Sequence, residues 1–266
     1  MQVKEIRIPY KSRRDVFRLY PIGDIHAGIV HCAEKKIKEM VKQISSEENS
    51  LWIGMGDYAD CITPQDPRWD IEVISDWIEN SNIAESQRRW IVELFKPIKD
   101  KCIGLLTGNH EEGIRLHNCQ DIQLDICRDL GVPNLGYSCF IRFVFVRLGA
   151  HTDIFTGHFE HGSGAAQTEG GKMMRLKKAI DSFEANIYGI GHLHDIKTLV
   201  SPKLYLDNAL NIKEFSRVGA ITGSWFRSYT EGVRPSYAEK KSYYPTTLGC
   251  PVFIIHPDKQ IIRIEE

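Results

Sequence analysis

Short apolar runs alternate with helical periodicity through the first two-thirds of the chain, and strand-like runs dominate the remainder. Residues 3–8 and 16–22 read as an opening strand pair. Residues 33–47 follow as a helix, with Ile37, Met40, Val41 and Ile44 at helical spacing. After a strand at 51–55, the stretch 61–69 (CITPQDPRW) reads as a loop because of its two prolines. Residues 70–98 repeat Ile71, Ile74, Trp77 and Ile78, then Trp90, Ile91, Leu94 and Phe95, so they predict helix with a break at Ser81-Asn82. A strand at 102–107, a helix at 119–130 and a long hairpin (137–147 with 151–158) come next. A Gly-rich loop then enters a helix at 170–184, followed by strands at 187–190, 196–200 and 216–221. A strand pair at 252–256 and 260–264 closes the chain. This order predicts an α/β fold in which two mixed sheets pack on each other with helices outside. No repeat, low-complexity segment or linker divides it, so residues 1–266 read as one domain.

Composition narrows the class. With 42% hydrophobic and 26% charged residues, the chain can bury a sizeable core and still dissolve. A net charge of −1 gives no global pull toward nucleic acid or anionic membrane, so any polyanion contact must be local. The start, MQVKEIRIPYKSRR, has no apolar stretch of a secretory signal, and FIRFVFV is too short to span a membrane. Seven cysteines with no Cys-x-x-Cys pair fit reduced thiols and a cytoplasmic location. Cys61 lies beside a candidate ligand loop, either as a reactive thiol or as a buried inert one.

The chemistry lies where apolar runs end. FRLYPI leads into Gly23-Asp24-Ile25-His26, and LWIGM into Gly56-Asp57-Tyr58-Ala59-Asp60. IGLLT leads into Gly108-Asn109-His110-Glu111, and NIYGI into Gly191-His192-Leu193-His194. Each reads as a buried strand whose carboxyl end presents polar side chains, the usual place for a site in an α/β sheet. In Asp24-Ile25-His26 and His192-Leu193-His194 the polar residues sit at i and i+2, so an extended backbone would point both the same way. The preceding glycines allow sharp turns and close approach to an ion. One such tetrapeptide is an ordinary turn; four converging sets of Asp, Asn and His make a metal site.

These motifs, from Asp24 to His194, resemble the signature of calcineurin-like metallophosphoesterases. The resemblance implies a four-layer α-β-β-α sandwich and two divalent transition-metal ions. It implies that Asp24, His26 and His194 hold the first ion, that Asn109, His161 and His192 hold the second, and that Asp57 bridges both. Two such ions, about 3.5–4 Å apart, activate a bridging hydroxide and neutralise phosphoryl charge. His110 would protonate the leaving oxygen or steady the transition state. Asp60 and Glu111 match positions from which a carboxylate orients a ligand histidine, the alternative for both being a solvated turn residue. The donors are nitrogen and oxygen only, which selects Mn first, with Fe, Zn, Co or Ni as alternatives, over a structural thiolate zinc site.

The lone downstream histidine is ambiguous, because DIFTGHFEHGSG holds both His158 and His161. Small residues follow His161, which favours it, and His158 is the alternative. His31, His117, His151 and His256 lack such a context. The loop GSGAAQTEGGK is not a Walker motif, since Ala166 stands where Gly is needed and Met173 where Ser or Thr is needed. It reads as a loop from which Gln167, Thr168 and Lys172 could reach substrate.

The expected activity is phosphoester hydrolysis, against a non-catalytic scaffold of the same fold. A phosphodiester is the favoured substrate and a small phosphomonoester the alternative. Two segments read as substrate-facing insertions. Residues 61–100 carry Arg68, Trp69, Trp77, Arg88, Arg89 and Trp90. Residues 224–247 carry Trp225, Phe226, Arg227, Tyr229, Arg234, Tyr237, Lys240, Lys241, Tyr243 and Tyr244. Aromatics interleaved with cations suit a single strand of nucleic acid, and the alternative is packing on the core.

Overall fold

The structure, a computed structural model, describes residues 1–64, 66, 68–118, 120–164, 166–245 and 247–266. Pro67 of the predicted loop and Cys119 at the predicted start of a helix lie outside them. In chain order the elements are β1 (Gln2–Tyr10), β2 (Phe17–Ile22), α1 (Glu34–Ser46), β3 (Ser50–Gly54), α2 (Ile83–Phe95) and β4 (Cys102–Leu105). Then come α3 (Asn109–Asn118), α4 (Ile122–Leu130), β5 (Ser138–Arg147), β6 (His151–Glu160), α5 (Glu169–Ser182) and β7 (Ile187–Ile190). The chain finishes with β8 (Ile196–Val200), β9 (Lys203–Leu206), β10 (Ile212–Phe215), β11 (Val218–Thr222), α6 (Tyr237–Lys240), β12 (Val252–His256) and β13 (Ile261–Glu265).

Two mixed sheets carry the fold. One runs β1-β5-β6-β7-β11-β8 and the other β13-β12-β2-β3-β4, while β9 and β10 form a separate exposed hairpin. A buried cluster unites Leu19, Ile53 and Phe253 of the second sheet with Phe143, Phe159 and Ala220 of the first. Another joins Tyr20 and Trp52 to Ile37, Val41, Ile91 and Ile126 from α1, α2 and α4. A third seats Leu176 and Ile180 of α5 against Tyr188 and Ile221. Alternate residues of β2, β3, β7 and β11 thus face different clusters, as a pleated strand covered on both sides requires. Among the described residues no helix is long and apolar enough to cross a membrane.

Several expectations need correction. The opening strands do not pair: β1 lies parallel to β5, and β2 lies in the other sheet. Their apolar patterns specified strands but not partners. The first half of 70–98 is not α-helical, only a 3-10 turn at Ile71–Val73. There the Val30 N–H donates to the Val73 carbonyl (2.9 Å) and Ile74 bridges Ile29, so non-local pairing overrides the local period. The helix expected from 119 begins at Ile122, where the Asp121 carboxylate accepts from the Leu124 N–H (2.9 Å). Helix α3 was not foreseen, because NHEEGIRLHN has little apolar periodicity and a central glycine.

Candidate metal centre

The four predicted loops meet at the carboxyl ends of β2, β3, β4 and β7. Backbone bonds lace the first two together: the Ile25 N–H donates to the Asp57 carbonyl (2.8 Å) and the Ala27 N–H to that of Tyr58 (2.9 Å). The expected extended geometry of the i, i+2 pairs is not what forms. Asp24, His26, Asp57, His192 and His194 all have positive φ, between 48° and 66°. Non-glycine residues rarely occupy this left-handed region, and such strain concentrates at functional sites. Close approach explains two glycines. Gly56 has φ of +91°, and a Cβ there would meet His161 Nδ1 at 2.7 Å; a Cβ on Gly108 would collide with Asp57.

Donor atoms converge in two groups, Asp24 with His26 and His194, and Asp57 with His161 and His192. Nε2 of His26 lies 3.0 Å from Nε2 of His194, which is 3.3 Å from Asp24 Oδ1. Nε2 of His161 lies 3.0 Å from Asn109 Oδ1 and 3.3 Å from Asp57 Oδ2. Orientation comes from behind. His161 Nδ1 donates to the Met55 carbonyl (2.7 Å), and His26 Nδ1 faces Asp60 Oδ1 at 3.3 Å. Holding Nδ1 in this way aims each Nε2 lone pair inward.

A cation fits this arrangement. His192 Nδ1 is buried with no hydrogen-bond partner, and Asp24 Oδ1, with His194 Nε2 at 3.3 Å as its near neighbour, makes no well-formed hydrogen bond either; such buried groups are costly unless something else satisfies them. Burial lowers the pKa of His26 and of His192, so both rings favour the neutral form that ligates. Burial alone would also lower His161, but the Asp57 carboxylate outweighs it and pushes the ring up to about 10. The anionic pocket therefore favours positive charge, which a cation would supply.

His161, not His158, enters the cluster. Strand β6 runs two residues further than expected, to Glu160, so His161 is the first residue beyond it. His158 is fully buried elsewhere, stacked on Phe183 at 3.9 Å, and burial lowers its pKa to about 4. His110 stands at the cavity wall, its Nδ1 against the Asp60 carbonyl and its N–H donating to Asp57 Oδ1 (2.9 Å). Burial would lower its pKa, but Asp57 and Asp60 outweigh it and the ring sits above the ordinary histidine value.

Glu111 plays neither role expected of it. Among the described residues its carboxylate hydrogen-bonds no histidine; it is buried, with its two oxygens accepting from the N–H groups of Asp57 (3.0 Å), Tyr58 (2.7 Å), Ala59 (3.1 Å) and Gly108 (3.1 Å). It ties the β3 loop to the β4 loop. Burial and the nearby Asp57 carboxylate push its pKa up to about 7, against the Ala59 N–H and the His110 and His161 rings. Cys61 is buried, and burial raises its thiol pKa, so it is an inert thiol.

A cavity of about 250 Å³ opens over the cluster. Gln167 and Lys172 line it, as does Arg68. The Thr168 hydroxyl instead caps α5 by accepting from the Gly171 N–H (3.2 Å). Of the cation-rich segments, Tyr237, Tyr243 and Tyr244 reach this cavity. Several of the other side chains are engaged elsewhere: Arg88 pairs with Glu85 (2.7 Å), Arg234 with Asp70 (2.6 Å), and Trp77 stacks on Trp90 at 5.5 Å. Sequence reasoning missed the bracing role of 224–226. The Ser224 hydroxyl and the Trp225 N–H both donate to the Asp24 carbonyl (2.9 Å each), and the Phe226 ring lies 5.5 Å from His26 and 5.6 Å from His194. The string Ser224-Trp225-Phe226 gave no local signal of such contacts.

A second acid and histidine group, His151, Asp153 and Asp258, lies apart from these loops. Its carboxylates are satisfied by Tyr10, Arg147 and Gln260.

Three comparisons bear on kinship. No curated protein matches the sequence. In shape the chain is similar to a conserved uncharacterized protein, a predicted phosphoesterase, from Streptococcus pneumoniae, at 15% identity over 91% of this chain and 84% of that one, with a TM-score of 0.34. It is similar also to Vps29 complexed with zinc from Entamoeba histolytica, at 10% identity over 94% of this chain and 97% of that one, with a TM-score of 0.32. The calcineurin-like phosphoesterase family profile matches residues 17–195, which takes in all four loops. The chain belongs to the calcineurin-like phosphoesterase family and is a metal-dependent phosphoric ester hydrolase.

Proposed function

We propose that the protein is a dinuclear phosphodiesterase of one domain. Asp24, His26 and His194 would hold one ion, Asn109, His161 and His192 the other, and Asp57 both. The observation that carries this reading is the strained, left-handed backbone at five of these seven residues, together with the poorly satisfied Asp24 Oδ1 and the orphaned His192 Nδ1. When bound, the ions would activate water and neutralise charge on the phosphoryl oxygens, with Mn the first choice for an all-N/O donor set.

The chain's own groups complete the chemistry. Asp60 would fix the His26 ring. His110, whose pKa the Asp57 and Asp60 groups raise, would give its Nε2 proton to the departing ester oxygen; its Nδ1 is held by the Asp60 carbonyl. Arg68 and Lys172 would orient the phosphate, yet each already carries a carboxylate partner, Asp66 at 2.8 Å and Asp195 at 3.0 Å. That leaves little net positive charge for a dianionic monoester and suits a singly charged diester. The same pairing argues for a small diester over a long nucleic-acid strand. One domain is supported by the region beyond residue 195, which adds β8 and β11 to one sheet and β12 and β13 to the other.

The test is turnover by chelator-stripped protein reloaded with manganese. Bis-p-nitrophenyl phosphate should be cut faster than p-nitrophenyl phosphate. A preference for the monoester would replace the diesterase reading with that of a small-molecule phosphatase.

A further inference from the structure

A second cavity of about 220 Å³ adjoins the first, and Arg68 and Tyr237 line both. Asp60 lines it too, so it begins directly behind the residue that holds His26 and His110. Its walls mix polar groups, Arg68, Asp70 and Ser236 among them, with apolar ones. Ile29, Ile74 and Phe226 supply apolar surface, and Trp69 adds an aromatic ring. Lys240, 3.7 Å from Asp70, contributes charge.

One lining side chain stands out, that of His31. His31 is 2% exposed, and its Nε2 is buried with no hydrogen-bond partner. The other ring nitrogen lies 3.2 Å from the Thr230 hydroxyl. Burial lowers the pKa of His31, so the ring is neutral and Nε2 offers one hydrogen bond, as donor or acceptor according to tautomer. His31 has no part in the metal cluster, yet its ring sits 5.9 Å from Phe226, the ring that also packs on His26 and His194. A buried nitrogen without a partner is costly to keep unless a ligand completes it.

We propose that this second cavity is the subsite for one ester arm of the substrate, a planar heteroaromatic group, and that His31 is the side chain that selects it. The inference rests on the phosphodiesterase reading above. A diester has two arms, and two cavities share walls beside the candidate centre. Apolar surface and an aromatic ring favour a flat, weakly hydrated group. One buried nitrogen favours a group with a ring nitrogen, N–H or carbonyl on its edge. An alkyl arm would leave Nε2 orphaned.

The test compares two diesters that share the p-nitrophenyl leaving group: the p-nitrophenyl ester of thymidine 5′-phosphate, and methyl p-nitrophenyl phosphate. Both are assayed with metal-loaded wild type, His31→Phe, which keeps the ring shape, and Ile74→Trp, which fills the cavity. Wild type should prefer the thymidine ester by about tenfold or more in kcat/KM, the discrimination a site built to hydrogen-bond its ligand provides. Both variants should lose that preference through KM while cutting the methyl ester as wild type does, which also shows that they are folded and loaded. Equal loss on both esters, unchanged preference in both variants, or no preference in wild type overturns the subsite. If wild type cuts neither ester, the phosphodiesterase reading itself has failed, and the subsite falls with it.

Discussion

The strand-end loops and the segments that wall the cavity are built on opposite principles. Asp24, His26, Asp57 and His161 are essentially inaccessible, held on strained backbone or locked by hydrogen bonds from behind. Arg68, Tyr243 and Tyr244 are partly or largely exposed, and Arg68 is held by the Asp66 ion pair. Rigidity in the first region fixes donor atoms to within the tolerance that metal ligation demands. Looser packing in the second leaves room for substrate to select among arrangements. Chemistry is therefore written into the loops, and specificity into the walls.

The largest effect should come from breaking the rigid region at its ambiguous residue. His161→Ala should abolish hydrolysis and weaken ion retention, while His158→Ala, which disturbs only packing against Phe140 and Phe183, should act through stability, by about 0.5–3 kcal/mol. Activity assays with thermal melts on both variants check this; loss of activity in His158→Ala with an unchanged melt would reverse the assignment.

His110→Ala comes next. It should keep its ions but lose turnover by about 10²–10⁴-fold, the usual scale for a general acid. The loss should shrink for p-nitrophenyl esters, whose leaving group needs no proton. A proton donor must be protonated, so wild-type turnover of a poor leaving group should fall with rising pH, with the fall displaced upward from the ordinary histidine value, the direction in which His110 is shifted. That alkaline limb should vanish in His110→Ala. Equal losses on good and poor leaving groups would leave only an electrostatic role.

How far the two regions were legible in the sequence follows from the same contrast. Gly-Asp-Ile-His and its three counterparts are local strings, so the loops, their strands and the long β5–β6 hairpin could be read directly. The exchange of an expected extended backbone for left-handed turns could not, because it is imposed by pairing between the β2 and β3 loops. Residues 70–78 misled because their period is helical while their hydrogen bonds go to residues 28–30. The walls were least legible. Trp77 and Trp90 were flagged with Arg68, yet they stack on each other over α1, where the Trp77 Nε1–H donates to Glu34 (2.7 Å). Nothing local marks which aromatic faces a cavity.

A smaller effect sharpens the line between holding ions and holding loops. Glu111→Gln replaces a carboxylate that accepts four backbone N–H groups with an amide that can serve only some of them. Stability should fall by about 1–3 kcal/mol for a buried donor left unpaired. Ion stoichiometry at saturation should stay that of wild type. An unchanged melting temperature would show that the brace contributes little.

The central claim is that Asp57 joins two ions in one centre. Elemental analysis of manganese-reloaded protein, with wild type and Asp57→Ala side by side after dialysis, tests it most directly. Two ions per chain in wild type and almost none in Asp57→Ala is the predicted result. Two tightly held ions in Asp57→Ala, or a single ion in wild type under saturating metal, would contradict it.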